Sequence, residues 1–555
     1  MNQIIIIIAI FLSYFMVSGL ATTNILRLTS GNNLPVLSSK CVCDSCGSKI
    51  TPFYQLPIVS FILCKGKCRN CKAKIPVYPL ILECVICFGM FFVSALFKFS
   101  FIGVLASFLF YEIVRIIMII KKGKRKQEFG KQYVIAILAM IPFLLLILFI
   151  TLIIAYFSLK TLPRQLPMQD LIYTNWMHYD CLYKHYNVEP FSEEFWMILR
   201  NYLKNAVAHG LNMIYTPIFT PPLDTEVGGE RPTFQLVEVE KIDVGYRFSF
   251  RHFDKFIKTC IDCGIRFFEI SHFFTQWGAK HAPKIIANVK GVKKQIFGWD
   301  TNASDKDYVQ FLAVFAKAFT KEVERLGIKE ACYLHVSDEP QEEHLEDYKK
   351  ASYIINQLFP EFHVIDALSN IEFYRQGLVK TPVCGEDVAD IFKAEVKDFW
   401  TYYCCTETSD FLPNRMFAMP PVRNRILGLL LYKYEAKGFL QWGHNFWFTQ
   451  YSKKQINPYE VTDAGGAFPS GDSFVVYPGP DHKPWNSIRH EVFYEGICDY
   501  RAMKYLERLT SREHVLKILT KNLDTELTFK NYPHDIEWLL NKRAEINKEI
   551  EIATR

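Results

Sequence analysis

Asp338 and Glu339 stand side by side in "HVSDEPQEEH" (residues 335–344), after the apolar run 331–336 and just before Pro340. Two neighbouring carboxylates in that setting have two readings. One is a helix start, with Ser337 or Asp338 as the cap, Pro340 in the first turn and the acids that follow favoured by the helix dipole. The other is general acid–base chemistry, in which crowded like charges lift one pKa until a carboxyl can donate a proton near neutrality. What surrounds the pair decides between them.

A second chemistry is written in "CVCDSCGSKI" and "CKGKCRNCKAKI". Cys43 and Cys46 form one C-x-x-C and Cys68 and Cys71 another, each followed by a short turn and an isoleucine. Two such knuckles about twenty residues apart have the spacing of a structural zinc ribbon, whose folding energy comes largely from the metal. Cys41 and Cys64 lie close enough to compete as ligands.

The elements that position these groups divide at the charge. Residues 1–165 hold 18 Lys and Arg against 4 Asp and Glu, net +14, while the remaining residues hold 46 against 53, net −7. The basic excess belongs to one end, which argues against a nucleic-acid partner. That end carries four apolar runs near membrane-spanning length, at residues 4–21, 79–97, 101–120 and 133–157, so residues 1–157 are expected to form a multi-span membrane domain around the Cys-rich loop 40–76. Glu112 and Arg115 in the third run are three apart on one helical face, either paired inside the bundle or seated in the headgroup layer. The basic loops, Lys65 to Lys74 and "KKGKRK" at 121–126, should face the cytoplasm, leaving everything after residue 157 outside. The eight cysteines beyond that point pull the other way, since free thiols are commoner in reducing compartments.

After a Pro-containing linker, 158–167, short apolar runs alternate with amphipathic stretches. Strands are expected at 171–176, 213–219, 267–273, 331–336, 363–367, 381–384, 399–404 and 438–442, with helices at 193–209, 308–326 and 345–358 between them. Parallel βα units of this number predict an α/β fold, a (β/α)8 TIM-like barrel over 168–510 followed by a helical tail, 511–555. A doubly wound open sheet is the runner-up, but no G-x-G-x-x-G follows any strand. "GGAFPSGD" (465–472) also lacks the lysine of a phosphate loop.

In a barrel, strand ends carry the chemistry. The predicted ends here are rich in Trp, Tyr, His and Asn: "NWMHYD", "SHFFTQWGAKH", "DALSN", "TYYCC" and "QWGHNFW". Such a rim suits sugar, because aromatic rings stack on its C–H faces and polar groups bond its hydroxyls.

Residues of about 168–505 resemble glycoside hydrolase family 123, through "NWMHYDCLYKHYNVEPFSEEFW", "TPIFTPPLDTEVGGERPT", "FFEISHFFTQWGAKHAPKI", "HVSDEP", "FWTYYCC", "NRILGLLLYKYEAKGFLQWGHNFW" and "TDAGGAFPSGDSFVVYPGPD". The resemblance implies a (β/α)8 domain releasing β-linked N-acetylgalactosamine by a retaining, substrate-assisted reaction that needs no cofactor. It makes Asp338 the residue that orients the 2-acetamido group and Glu339 the acid and base. Trp277, Tyr402 and Trp442 are expected around the sugar, with His272, Asn445 and His178 as hydroxyl partners and Asp366 in support. Family members usually carry a β-sandwich ahead of the barrel, where this chain has apolar runs.

Residues 43–83 resemble the N-terminal cysteine-rich domain of type IV prepilin peptidases, "LPIVS" and "YPLILE" included. Those peptidases need two intramembrane aspartates, and none occurs between Asp44 and Asp170. The peptidase activity is therefore not expected, whereas the metal knuckle and membrane anchor are. A barrel that binds glycan without cleaving it, or a membrane scaffold related to prepilin processing or export, are the competing readings.

Overall fold

In the computed structural model, residues 166–554 are described continuously; before them the described residues are 58–96, 101–122 and shorter pieces within 11–26 and 43–50. The chain divides into two compact units, Met1–Pro163 and Arg164–Arg555.

In the second unit eight parallel strands close into a barrel: Ile172–Asn175, Met213–Thr216, Phe267–Ile270, Cys332–Leu334, His363–Leu368, Thr381–Gly385, Trp400–Tyr402 and Gly438–Gln441. They pair in chain order and the last closes on the first, with Ile172 opposite Gly438 and Asn175 opposite Gln441. All eight fall on the predicted runs. The interior is filled by Met213, Tyr215, Ile365, Val383, Trp400, Tyr402 and Leu440. Gly438 makes room for this packing, since a Cβ there would lie 2.2 Å from the indole of Trp400. Helices Glu193–Ala208, Lys306–Arg325 and Leu345–Leu358 cover the outside with one apolar face each; on the second, Phe311, Phe315 and Phe319 recur every four residues and are fully buried.

Two features were not foreseen. A four-stranded sheet, Glu238–Lys241, Tyr246–Ser249, Ile285–Val289 and Val292–Phe297, grows from the loops after the second and third barrel strands. A short hairpin, Val476–Pro478 with Pro484–Asn486, lies in the last loop. Beyond the long helix Ile488–Leu509, helices Arg512–Thr520 and Ile536–Ala553 pack back onto it, tied by Arg543 to Asp499 at 2.5 Å.

In the first unit, helices Val77–Leu96 and Phe101–Lys122 pack around Leu82, Ile86, Met90, Phe108 and Tyr111. Only one of the four expected spans is, among the described residues, long and apolar enough to cross a membrane: Val77–Leu96. The run 101–120 is helical but carries the pair Glu112–Arg115 at 3.3 Å, with Arg115 fully buried. The run 4–21 is described only in part, and 133–157 lies outside the described residues, as do Cys41 and most of the linker.

Candidate active site

The loop after strand Cys332–Leu334 presents Asp338 and Glu339, both half-buried, to a cleft at the C-terminal mouth of the barrel. Neighbouring loops pin it on both sides. The Trp277 N–H donates to the Asp338 carbonyl at 2.9 Å, and the Glu339 N–H donates to the Ala367 carbonyl at 3.1 Å. The Ser337 hydroxyl donates to the Thr275 carbonyl at 2.7 Å. Glu339 itself sits at φ 44°, in the left-handed region that a side chain rarely adopts. The helix start does exist, but one turn later, at Glu342–His344 and Leu345–Leu358. The carboxylates are therefore not its caps.

Tyr402 donates its hydroxyl proton to Glu339 Oε1 at 2.8 Å. Burial is the first cause holding Glu339 above the usual carboxylate range; the Tyr402 bond works against it and Glu407 with it. Asp338 is pushed well up by burial and then by Glu339, with His335 pulling back. The pair thus keeps a proton to higher pH than two isolated carboxylates would.

Beneath the pair lies a buried charge cluster. His335 is sandwiched between carboxylates, Nδ1 to Asp366 Oδ1 at 3.0 Å and Nε2 to Glu269 Oε1 at 2.8 Å, with all three side chains fully buried. Burial opposes the imidazolium, but the two hydrogen bonds and charges outweigh it and raise the pKa to about 9. Glu269 also accepts from Trp176 Nε1 at 2.7 Å and from Thr174, and Asp366 from the Val336 N–H at 3.0 Å and from Tyr348. Two carboxylate partners thus favour the charged imidazole directly beneath the cleft.

Around the carboxylates the cleft is walled by Trp176, Trp277, Tyr402, Trp442 and Phe468, with Asp224 and Gln276 at one side. Trp442 is held at its ring by Asp472, whose Oδ2 accepts from Nε1 at 3.0 Å. Burial pushes Asp472 up to about 7. The Trp442 carbonyl accepts from His178 Nε2 at 2.8 Å, while His178 Nδ1 accepts from Arg231 at 2.9 Å. That leaves His178 neutral, with burial first and Arg231 next driving its pKa down to about 3.

Of the residues expected at the sugar, Asp338, Glu339, Trp277, Tyr402 and Trp442 therefore share one cleft. His178, His272 and Asn445 do not line it. Asn445 exchanges two hydrogen bonds with the His178 backbone, and His272 stacks on His335 with ring centroids 4.3 Å apart while bonding the Tyr215 hydroxyl at 3.0 Å. Each is at most 4% exposed, so the expected hydroxyl contacts give way to support from behind the wall. Asp366 does not line the cleft either; it bonds His335 beneath it at 3.0 Å. Asp224 went unnoticed, although it is one of two acids in the phrase "PPLDTE"; burial raises it to about 6. His335, Glu269 and Asp472 also went unnoticed, because their partners are distant in sequence.

In the first unit the sulfurs of Cys43, Cys46, Cys68 and Cys71 all lie within 4.8 Å of one another. The two knuckles are built alike. Gly47 and Lys72, both at positive φ, donate their N–H to the carbonyls of Cys43 and Cys68 at 2.8 and 2.9 Å, and those cysteines donate to Ser48 and Ala73.

Comparison with known proteins agrees with this geometry. Residues 7–99 match the bacterial peptidase A24 N-terminal domain. Over 60 residues the chain is 35% identical to the prepilin leader peptidase/N-methyltransferase of Vibrio cholerae, covering 10% of this chain and 24% of that protein, so it spans about a quarter of that relative. A solved family 123 glycoside hydrolase from Clostridium perfringens, which acts on glycolipid glycans, shares the fold at 17% identity and TM-score 0.51 over 71% of each chain. Residues 176–506 match the catalytic domain of glycoside hydrolase 123. With its barrel, paired carboxylates and aromatic cleft inside that match, the chain belongs to glycoside hydrolase family 123.

Proposed function

We propose that the barrel hydrolyses β-linked N-acetylhexosaminides, N-acetylgalactosaminides first, with retention and with the substrate's own acetamido oxygen as nucleophile. The observation that carries this reading is the placement of two sequence neighbours, Asp338 and Glu339, on one edge of one cleft. A nucleophile and an acid flanking the scissile bond stand roughly 5–5.5 Å apart on opposite sides of it. Neighbouring residues, about 3.8 Å apart at Cα, suit instead a reaction in which the substrate supplies the nucleophile.

Asp338 accepts the acetamido N–H and aligns its oxygen on the anomeric carbon. As that C–O bond forms, Glu339 gives its proton to the glycosidic oxygen and the aglycone leaves. Glu339, now a carboxylate, takes a proton from water, whose oxygen opens the cyclic oxazolinium and restores the β configuration. Trp442 and Trp277 offer ring faces to the sugar, and Asp224 an acceptor for a hydroxyl. The glycolipid glycans of the Clostridium perfringens relative suggest membrane-borne substrates for an enzyme with an apolar N-terminal unit. Side-by-side assay of aryl β-N-acetylgalactosaminide and aryl β-galactoside tests the reading: equal rates would overturn it.

For the first unit, we infer that Cys43, Cys46, Cys68 and Cys71 hold one structural zinc ion. Zn–S bonds of about 2.3 Å at tetrahedral angles put sulfurs about 3.8 Å apart, and Cys43 and Cys71 stand 3.9 Å apart. Four thiolates close the metal shell, so the ion would organise the loop and take no part in hydrolysis. The apolar unit is read as a multi-pass anchor with the barrel extracytoplasmic, on the strength of the basic loops. Protease treatment of intact cells tests the sidedness; a protected barrel would reverse it.

A further inference from the structure

A cavity of about 500 Å³ lies on the far side of the loop that carries Phe468 and Asp472, sharing no lining residue with the catalytic cleft. Phe417 anchors it to that loop through its N–H on the Ser470 carbonyl at 2.9 Å. Its wall contains two arginines, Arg415 and Arg489, 3% and 8% exposed, and no acidic residue. The rest is mostly apolar or aromatic, with Phe417, Tyr477, Ile488 and Val492 among it and Asn414, Asn424 and Ser487 as its polar members.

Buried cations are normally paired, because removing a guanidinium from water costs more than backbone carbonyls alone return. Among the described residues neither arginine has a carboxylate oxygen within 4.0 Å. Arg415 spends Nη2 on Gln441 Oε1 and the carbonyls of Gly443 and Asp472, and Arg489 spends Nη1 on the carbonyls of Gly471 and Phe474. Nε of Arg415 and Nη2 of Arg489 are closed to water and have no carbonyl or carboxylate partner, and the Tyr477 hydroxyl stands beside the Arg489 guanidinium. Burial and the charge of Arg415 bring Arg489 down to about 10, against Tyr477 and Tyr403, which raise it. The guanidinium of Arg489 stands 4.6 Å over the Phe417 ring, so charge and apolar surface meet at one place.

We propose that this cavity is a binding site for a small organic anion, a carboxylate or sulfate on an apolar body, with its charge at Arg415 and Arg489 and its body against Phe417 and Ile488. Occupancy is felt in the cleft, because Arg415 holds the Asp472 carbonyl at 2.7 Å and Asp472 holds the Trp442 ring. The site does not rest on the glycosidase reading, since binding is measured without turnover.

The test is calorimetric titration of the full chain at constant ionic strength with benzoate, with its neutral isostere benzamide, and with sulfate against chloride. Benzoate or sulfate is expected to bind, and benzamide to bind at least roughly tenfold more weakly than benzoate, as loss of a charge-assisted hydrogen bond requires. Preference for benzoate identifies a free organic acid as the source, and preference for sulfate a sulfate ester; each upholds the proposal. Arg489→Gln should weaken binding roughly 10–100-fold. Because Arg489 also holds two loop carbonyls, Val492→Trp serves as the second variant, narrowing the cavity with both arginines in place; it should weaken binding. No binding of either anion by the wild type at about 10 mM, or undiminished binding by Val492→Trp, overturns the proposal.

Discussion

The Tyr402 hydroxyl lies 2.8 Å from Glu339 Oε1 and donates to it, so the proposed proton donor is hydrogen-bonded before any substrate arrives. That bond favours the carboxylate and lowers a pKa that burial raises. Activity that needs protonated Glu339 falls as pH rises through that pKa. Tyr402→Phe removes the lowering influence, so the falling limb of kcat/KM should move to higher pH. A limb that stays in place, or moves down, would show that Glu339 does not own it.

Glu339→Gln should lose roughly 10²–10⁴-fold on a substrate with a poor leaving group. On an activated aryl glycoside, whose leaving group needs little protonation, the loss should be much smaller. Equal losses on both would remove Glu339 from the acid role.

Asp338→Asn should slow both kinds of substrate, because acetamido attack precedes either departure. A thiazoline mimic of the cyclised intermediate should inhibit the wild type strongly and Asp338→Asn far less, since tight binding of that species is what the site is built for. Unchanged inhibition in the variant would count against the assigned role.

His335 gives a pH signature in stability. Its folded pKa of about 9 exceeds the unfolded value of about 6.5, so its contribution is complete below pH 6.5 and is lost as pH rises through 9. The difference corresponds to something on the order of 3 kcal/mol. Thermal melts of the wild type should therefore fall over that interval more steeply than those of His335→Gln, and parallel curves would mean that the buried imidazole is neutral.

Zinc analysis of the detergent-purified full chain should find about one equivalent, and Cys68→Ser should reduce it. Metal-free protein prepared anaerobically would reject the assignment.

The barrel was legible because each strand is a short apolar or aromatic run and the helices between them carry one apolar face. Phe311, Phe315 and Phe319 make that face plain in the sequence. The side sheet was not legible: "EVEK", "YRFS" and "VKKQIF" are polar runs that pair only within that sheet, around Ile285–Val289 and outside the barrel. At the site, Asp338, Glu339 and the cleft aromatics could be read from type and position at strand ends. The rotation of a strand end cannot be read that way, so His178 and Asn445 were expected in the cleft and instead bond each other behind it. The role of His335 depends on Glu269 and Asp366, 66 and 31 residues away, and only closure of the sheet brings them together.

The backbone of Glu339, at φ 44°, sets chemistry against folding at a single position. A residue with a Cβ is disfavoured there by about 1–2 kcal/mol, whereas glycine is not. Glu339→Gly should therefore be inactive and yet melt no lower than the wild type, the reverse of what deleting a half-buried side chain ordinarily does. Selection for stability alone, applied to a population of variants, would be expected to erase the acid and leave the barrel standing.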